Sequence, residues 1–317
     1  MARIAVTGAS GFLGRAAVDA LRADGHDVRR LVRRSAAAPD EVSWDPKAGT
    51  VDLDALAGAE AVVHLAGAGV GDQRWSPAYK EEVRASRIDG TRTMAAACAS
   101  LSPRPRVLVS SSAIGYYGDT GEKPVDESGA NGSGFLAEVT REWEAQTEPA
   151  DSAGVRVVHT RTGVVMSEQG GTLGGTVHAF GVPIRLMLLF KAGLAGPLGS
   201  GRQWVSWVSL ADYVAAIRFL LNADDITGPV NVTAPQPVRN KDWVRAIGRA
   251  VNRPVVVPVP AFALRAAIGQ FADEAVLVSQ RVLPRRLEEA GFVFTQPDIE
   301  QALAHELTRR HSDPPQP

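Results

Sequence analysis

A glycine-rich turn between a strand pattern and a helix pattern constrains this fold more than any other feature of the sequence. Residues 4–7 form an apolar run of strand length, and Phe12–Ala23 has the apolar spacing of a helix. Between them, Gly8–Gly14 reads GASGFLG. Glycines at these positions permit a tight turn, a close approach of the backbone to a pyrophosphate and close packing of helix on strand, while the helix N-terminus attracts phosphates. We therefore expect a dinucleotide site whose residues include Gly8, Ser10, Gly11, Phe12, Leu13 and Gly14.

Strand-length apolar runs alternate with helical patterns throughout the first half of the chain. The further strands are expected at Val28–Val32, Val42–Trp44, Ala61–Leu65, Val107–Ser110 and Val155–Thr160. The further helices are expected at Asp52–Ala57, Pro77–Ala99 and Phe135–Gln146. Such alternation is typical of a parallel sheet with helices on both faces. We therefore expect an α/β fold of the Rossmann type, with a doubly wound parallel sheet.

The pattern changes after Gly163, where the sequence becomes richer in glycine. We expect an apolar helix at Thr176–Phe190, a helix at Leu210–Leu221 and a strand at Pro229–Thr233. Helical patterns then follow at Trp243–Val251, Phe262–Phe271, Arg285–Ala290 and Ile299–Leu307. The apolar faces of these last helices need a partner to bury them, and no Gly/Ser-rich linker precedes them. We therefore expect the tail to be an integral part of the fold.

The end of the second strand distinguishes between two cofactors. In NAD-preferring sites an acidic residue there binds the ribose 2′-hydroxyl, whereas an arginine nearby accommodates a 2′-phosphate. Here Val32 occupies the acidic position, and Arg33 and Arg34 follow it. A guanidinium group matches the geometry of a phosphate, although a solvated basic strand end is the alternative. The sequence thus favours NADP(H) over NAD(H).

Composition excludes several other classes of protein. The formal net charge of -1 over 317 residues gives no overall field toward nucleic acid or an anionic membrane. Cys98 is the only cysteine, so no disulfide framework is possible. No apolar run is long enough to span a bilayer, and the chain passes from Met1 directly into a strand pattern. We expect a cytoplasmic protein with a small-molecule substrate and no bound metal.

Several motifs together resemble those of the extended short-chain dehydrogenase/reductases. They are Thr7–Gly14, His64–Gly67 and Ser110–Ser112. More narrowly, the chain resembles the NAD(P)-dependent epimerase-like subfamily, whose members are often described as sugar-nucleotide epimerases and carry a C-terminal domain of unknown function. The segments that carry this closer match are Arg74-Trp75, Lys80, Ser86-Arg87, Gly115–Asp119, Gly196–Trp204, Thr233–Pro235, Arg281–Pro284 and Ala290–Phe292.

The resemblance implies a division into two lobes. Residues 1–163 and the helix 210–221 would form the NADP(H)-binding domain, and residues 164–209 and 222–317 a smaller α/β lobe for the substrate. It also implies that Leu65, Ala66 and Gly67 contact the cofactor. Asp45 would accept a hydrogen bond from the adenine amino group, with an Asx turn before Pro46 as an equal alternative.

The chain departs from this family at its acid–base pair. Extended members carry a Ser or Thr after the fifth strand and Tyr-x-x-x-Lys on the next helix. Ser112 matches the first position, but Phe135 and Val139 stand at the tyrosine and lysine positions. Tyr116 and Tyr117 follow Ser112 and are candidates to replace the pair, provided that their pKa falls from ~10 toward neutrality. Packing of one ring under the nicotinamide is the alternative.

Two arginines are candidate substrate ligands. Arg87 lies on the helix after the fourth strand, where a cation would favour an anionic substrate group. Arg202 lies in a glycine-rich loop of the second lobe. We expect an NADP(H)-dependent oxidoreductase or epimerase-like enzyme that acts on a small polar substrate as a monomer or homodimer. The alternative is a non-catalytic NADP(H)-binding regulator or redox sensor.

Overall fold

The structure is a computed structural model and describes residues 1–167, 170, 173, 176–179 and 182–308. In chain order its strands are β1 Arg3–Thr7, β2 Asp27–Val32, β3 Glu41–Asp45, β4 Thr50–Val51, β5 Ala61–His64, β6 Val107–Ala113, β7 Arg156–Thr162, β8 Val164–Met166, β9 Thr176–Ala179, β10 Val182–Arg185, β11 Trp204–Val205, β12 Trp207–Ser209, β13 Gly228–Val232 and β14 Val238–Arg239. Its α-helices are α1 Phe12–Ala23, α2 Leu53–Leu56, α3 Pro77–Ser100, α4 Phe135–Ala145, α5 Glu148–Ser152, α6 Leu186–Lys191, α7 Leu210–Asn222, α8 Asn240–Ala250, α9 Ala261–Ile268, α10 Arg285–Glu289 and α11 Ile299–Thr308.

The large sheet has the doubly wound order expected from the sequence. Its strands follow the order β13-β7-β6-β5-β1-β2-β3-β4, and all neighbours are parallel except β3 and β4. From β1 the chain moves outward to β2 and β3, and it later returns to the other side of β1 as β5. Ligands of open α/β sheets bind at such a reversal, outside the carboxyl ends of the strands. The crevice between β1 and β5 is therefore the expected cofactor site.

Helices cover both faces of this sheet. On one face, Leu21 of α1 and Leu220 of α7 pack into a core with Val6, and on the other, Met94 of α3 packs with Ala5 and Leu108. The consecutive residues Ala5 and Val6 thus belong to opposite cores, because successive strand side chains point to opposite faces. Burial on both faces explains why the strands read as continuous apolar runs. No α-helix within the described ranges combines the length and the apolarity needed to cross a membrane.

Strand β13 shows that the later part of the chain contributes to the large sheet. The sequence assigns residues 228–232 to the second lobe, but they pair in parallel with β7 at the edge of the sheet. Leu287 of α10 is buried in the same core as Val6. The lobe boundary that the family resemblance implies does not include this exchange, because strand pairing between distant segments leaves no local signal.

The helix expected at Thr176–Phe190 is wrong for most of its length. Strands β9 and β10 form an antiparallel pair over 176–185, and α6 begins only at Leu186. Valine, isoleucine and threonine favour strands, and Pro183 lacks the N–H that a helix interior requires. Phe180 and Gly181, which belong to the same expected helix, lie outside the described residues.

A buried carboxylate ties the tail of the chain to the cofactor half. Asp212, in the first turn of α7, is fully buried. Its Oδ1 accepts hydrogen bonds from the backbone N–H of Thr295 at 2.8 Å and from the Thr295 hydroxyl at 2.6 Å. Its Oδ2 accepts one from the backbone N–H of Gln296 at 2.9 Å. These bonds fasten the segment before α11 to the helix that covers the large sheet.

Candidate functional site

Three glycines form a cradle at the carboxyl end of β1. A Cβ on Gly14 would lie 2.0 Å from the carbonyl oxygen of Gly8, and one on Gly11 would lie 3.1 Å from the same oxygen. Gly8 has a φ of +65°, and a Cβ there would lie 2.8 Å from the carbonyl carbon of Leu65. Helix α1 begins at Phe12 without a side-chain cap, so within the described ranges no side chain takes up its first N–H groups. The cradle therefore fits the pyrophosphate of a dinucleotide.

Thr7 and His64 join the carboxyl ends of β1 and β5. The Thr7 hydroxyl oxygen accepts hydrogen bonds from the backbone N–H of Leu65 at 3.0 Å and of Ala66 at 3.2 Å. Its own proton is therefore directed to Nδ1 of His64, 2.8 Å away. Burial lowers the pKa of His64 to about 4, so the ring is neutral. This arrangement holds the segment Leu65–Gly67 at the crevice. Its only signal in the sequence is that two polar residues, Thr7 and His64, end neighbouring strands.

The two arginines after β2 have different environments. Arg34 donates two hydrogen bonds to the carboxylate of Glu41, at 2.8 and 2.7 Å, and this pairing lowers the pKa of Glu41 to about 2. The side chain of Arg33 is exposed and has no ion pair or hydrogen bond within the described part of the chain. Arg33 can thus contact a ligand directly, whereas Arg34 would first have to leave Glu41.

Asp45 forms a turn at the end of β3. Its Oδ1 accepts hydrogen bonds from the backbone N–H groups of Lys47 at 2.9 Å and Ala48 at 3.2 Å. This is the Asx turn that the sequence offered as the alternative. The side chain remains exposed, and its contact with adenine stays a prediction.

Ser112 belongs to a buried polar network under the site. Its hydroxyl donates to Oε1 of Glu144 on α4 at 2.5 Å. Arg161 of β7 donates to both carboxylate oxygens of Glu144, at 2.8 Å each. Burial opposes the charge of Arg161, but the hydrogen bonds and charge of Glu144 raise its pKa overall. The Ser112 proton is thus committed to a carboxylate, and binding of a substrate oxygen by Ser112 stays a prediction.

The two tyrosines after β6 extend the same network. The Tyr117 hydroxyl accepts from Nη1 of Arg161 at 3.0 Å and donates to Oδ1 of Asn231 at 2.7 Å. Burial raises the pKa of Tyr117 to about 12, so this residue does not meet the condition for an acid–base role, which is a pKa near neutrality. The guanidinium of Arg161 lies 3.4 Å from the ring centroid of Tyr116, which packs at an angle against Tyr117. The geometry favours a structural role for Tyr117.

Apolar side chains fill the space around the missing acid–base pair. Phe135 and Val139, one turn apart on α4, are buried against Tyr79 and Val83 of α3. The ring of Trp75 packs edge-on against Phe135 with their centroids 5.1 Å apart. The tyrosine and lysine of the family are thus replaced by a helix–helix contact.

Arg87 supports the segment after β5. Its Nη1 donates to the carbonyl oxygens of Ala68 and Val83, at 3.0 Å each, and its Cζ lies 5.1 Å from the ring centroid of Trp143. Burial lowers the pKa of Arg87 to about 10. The guanidinium carbon lies 3.6 Å from the position that a Cβ on Gly67 would occupy. Arg87 thus holds the cofactor-facing segment, and contact with a substrate stays a prediction.

Arg202 lies among other charged groups on the second lobe. Its side chain is exposed, and its carbonyl oxygen accepts from Nη1 of Arg239 at 2.5 Å. Arg239 also pairs with Glu122 and lies 3.9 Å from the ring centroid of Trp204. Residue 122 belongs to the segment after β6, so the loop of Arg202 reaches the carboxyl side of the sheet. Its contact with substrate stays a prediction.

An open cleft of about 670 Å³ lies beside Phe135. Segments from α3, α4 and the C-terminal part of the chain form its walls. The lining residues are Trp75, Ser76, Pro77, Lys80, Glu81, Arg84, Gly134, Phe135, Glu138, Gln270 and Glu274. Lys80 is one of the residues that carry the family resemblance, whereas no sequence signal points to Gln270 or Glu274. The polar lining and the position at the carboxyl side of the sheet make this cleft a candidate substrate site.

Comparison with known sequences identifies the family. Residues 4–233, from β1 to just beyond β13, match the NAD dependent epimerase/dehydratase family. The chain belongs to this family. Residues 259–306 match a domain of unknown function, and this stretch contains Gln270 and Glu274 of the cleft. The resemblance to epimerase-like proteins with such a C-terminal domain is thus confirmed.

Relatives extend over nearly the whole chain. An epimerase family protein of Mycobacterium bovis is 45% identical over 306 residues, which cover 96% of this chain and 98% of the relative. The human epimerase family protein SDR39U1 is 30% identical over 305 residues, which cover 95% and 98%.

Solved structures show the same architecture. The crystal structure of human SDR39U1 with NADPH is similar with a TM-score of 0.86 and 28% identity, over 96% of this chain and 99% of that chain. A nucleoside-diphosphate sugar epimerase from Corynebacterium glutamicum is similar with a TM-score of 0.77 and 35% identity, over 96% of this chain and 58% of that chain. The α/β Rossmann fold and an NAD(P)-binding domain of the short-chain dehydrogenase/reductase type are thus confirmed.

Proposed function

We propose that the crevice between β1 and β5 binds NADP(H) in preference to NAD(H). The observation that carries this preference is the exposed guanidinium of Arg33, which lies directly after Val32 and has no ion pair with any described residue. A carboxylate at the position of Val32 would repel a 2′-phosphate, whereas a guanidinium attracts it. The glycine cradle supports the dinucleotide itself, and the human relative has a structure with NADPH.

We propose further that the protein is an oxidoreductase or epimerase-like enzyme with a small polar substrate. When bound, the cofactor supplies or accepts a hydride. The cleft beside Phe135 holds the substrate in this proposal, because it is open and lined by charged groups. Ser112, Tyr116 and Tyr117 act by fixing β6 and β7 through Glu144 and Arg161 rather than by moving a proton. Arg87 positions the cofactor-facing segment, and Arg202 borders the site.

A non-catalytic regulator or redox sensor is the second candidate. It is favoured by the burial of Phe135 and Val139, which carry no titratable group where the family carries its acid–base pair. A sensor would have no need of an open polar cleft next to the nicotinamide end of the site, so the enzyme is preferred.

Two measurements test these proposals. Fluorescence titration with NADPH and NADH should show tighter binding of NADPH, and equal affinity would contradict the cofactor preference. NADPH deuterated at C4 is then incubated with a panel of carbonyl compounds and nucleotide sugars. Deuterium in a product, detected by mass spectrometry, would establish hydride transfer. Tight NADPH binding without label in any product would favour the sensor.

A further inference from the structure

The cleft beside Phe135 lies where two strands of the sheet end. Trp75 and Ser76 belong to the segment that follows β5, and Gly134 and Phe135 begin the helix that follows β6. Substrates of open parallel sheets bind at these carboxyl ends. Gln270 and Glu274 reach the cleft from the C-terminal domain and close its far wall. The cleft therefore opens at the same edge of the sheet as the cofactor site of the proposed function.

The two cations that line the cleft differ in their partners. Arg84 pairs with Glu142 at 3.0 Å and with Glu138 at 3.8 Å. Lys80 donates to the neutral amide oxygen of Gln270 at 3.2 Å and has no ion pair with any residue in the described ranges. A lysine ammonium without a fixed counter-charge remains available to an oxygen of a ligand.

Aromatic rings surround the ammonium of Lys80. Its Nζ lies 4.4 Å from the ring centroid of Phe135 and 5.9 Å from that of Trp75. Phe135 stands at the tyrosine position of the family pair, so α3 brings a positive charge to the region that lost its lysine at Val139. The π faces of the two rings attract the ammonium and hold it at the cleft.

We propose that Lys80 binds the substrate oxygen on which negative charge develops. The proposal rests on the proposed enzymatic function and adds that the substrate carries a carbonyl group at this position. The carbonyl carbon receives the hydride that the reduced nicotinamide cofactor gives up on oxidation, the π electron pair moves onto the oxygen, and the oxygen then takes a proton from water, whose hydroxide leaves to bulk solvent. The ammonium of Lys80 stabilises the oxygen by charge and hydrogen bonding, without a change in its own protonation. Gln270 orients Lys80 and is a positioning residue.

A binding measurement tests Lys80 without turnover. The chain has five lysines, Lys47, Lys80, Lys123, Lys191 and Lys241, so reductive ¹³C-methylation gives few NMR signals, and the Lys80→Met variant assigns one of them. Methylation keeps the positive charge. Titration with acetate should shift the Lys80 signal saturably and leave the signal of the exposed Lys123 unchanged. A shift without saturation, or equal shifts at both lysines, would overturn the proposal.

A kinetic measurement then separates charge from packing. With a carbonyl compound that accepts the deuterium label, Lys80→Met should lower kcat/KM by about 100-fold or more, with the Kd for NADPH unchanged. Lys80→Arg should recover part of the loss, and Gln270→Ala, which keeps the ammonium, should stay much closer to the wild type. Wild-type rates in Lys80→Met would overturn this proposal alone. A wild-type protein that labels no compound would overturn the proposed function and this inference with it.

Discussion

The Ser112 hydroxyl donates a 2.5 Å hydrogen bond to Oε1 of Glu144, a carboxylate that also accepts two hydrogen bonds from Arg161. The side chains of Glu144 and Arg161 are only 11% and 4% exposed, so water offers neither charge a substitute partner. Ser112, which the family resemblance makes a candidate catalytic residue, is therefore part of the hydrogen-bond network that joins β6, β7 and α4.

We predict that Glu144→Gln destabilises the protein by about 3–5 kcal/mol, because Arg161 then remains buried without a counter-charge. Ser112→Ala should cost only about 1 kcal/mol, since it removes one hydrogen bond. Urea unfolding measures both values. Glu148→Gln is the matched control, because Glu148 accepts a hydrogen bond from Ser152 on an exposed helix. Equal losses in Glu144→Gln and Glu148→Gln would contradict the prediction.

For the cofactor preference, we predict that Arg33→Ala weakens NADPH binding about tenfold, which corresponds to ~1.4 kcal/mol. NADH binding should not change, because NADH lacks the 2′-phosphate. Arg34→Ala is the matched control, and it should have the smaller effect since its guanidinium already pairs with Glu41. Nicotinamide fluorescence titration of the wild type and both variants gives all six dissociation constants. A larger loss in Arg34→Ala would transfer the phosphate contact to that residue.

The glycine cradle gives a steric prediction. Gly14→Ala should abolish measurable NADPH binding and lower the free energy of unfolding by more than 1 kcal/mol, because its Cβ would lie 2.0 Å from the carbonyl oxygen of Gly8. Gly25→Ala is the control: it has a φ of +82° but no atom within 4 Å of the added Cβ. It should cost about 1–2 kcal/mol because of its backbone conformation and leave binding intact. Retention of NADPH binding by Gly14→Ala would show that the turn can widen.

His64 should make stability depend on acid pH. Its pKa is about 4 when folded and ordinarily 6.5, so between these values the unfolded chain binds a proton that the folded protein does not. The contribution of the neutral ring is present above pH 6.5 and is lost as the pH falls through about 4, with a total of about 3 kcal/mol.

The measurement is urea unfolding at pH 7 and pH 4 for the wild type and for His64→Asn. Asparagine keeps an oxygen acceptor for Thr7 but does not titrate. The wild type should lose about 3 kcal/mol more than the variant over this interval. The same loss in both proteins would mean that other groups cause the acid sensitivity.

The local hydrophobic pattern predicted helices and strands well where the residues of a single segment decide its secondary structure. The helix expected at Phe12–Ala23 has these bounds in the structure, since an apolar face and the following Gly25 define it. The expected strand Ala61–Leu65 differs by one residue from the observed Ala61–His64. The antiparallel pair of β9 and β10 was missed because the pairing of each strand with its partner, and not the hydrophobicity of the segment, decides between helix and strand.

The sequence predicted which residues lie at the candidate site, but not which partners their side chains contact. The sequence pointed to Arg33 and Arg34 equally as phosphate ligands. They differ only because Glu41 on the neighbouring strand pairs with Arg34. The raised pKa of Tyr117 depends on burial against segments far along the chain. The contact between Lys80 and Gln270 joins residues 190 positions apart, so no local sequence pattern could predict it.

The hydrogen bonds of Asp212 to Thr295 and Gln296 imply an order of assembly during translation. Strands β1 to β7 end at Thr162 and leave the ribosome first, so the nucleotide crevice can form early. Residues 270–274, which contribute to one wall of the cleft, emerge later. The hydrogen bond from Gln296 to Asp212 forms only after residue 296 has emerged. We therefore expect cofactor binding to precede completion of the proposed substrate cleft on a nascent chain.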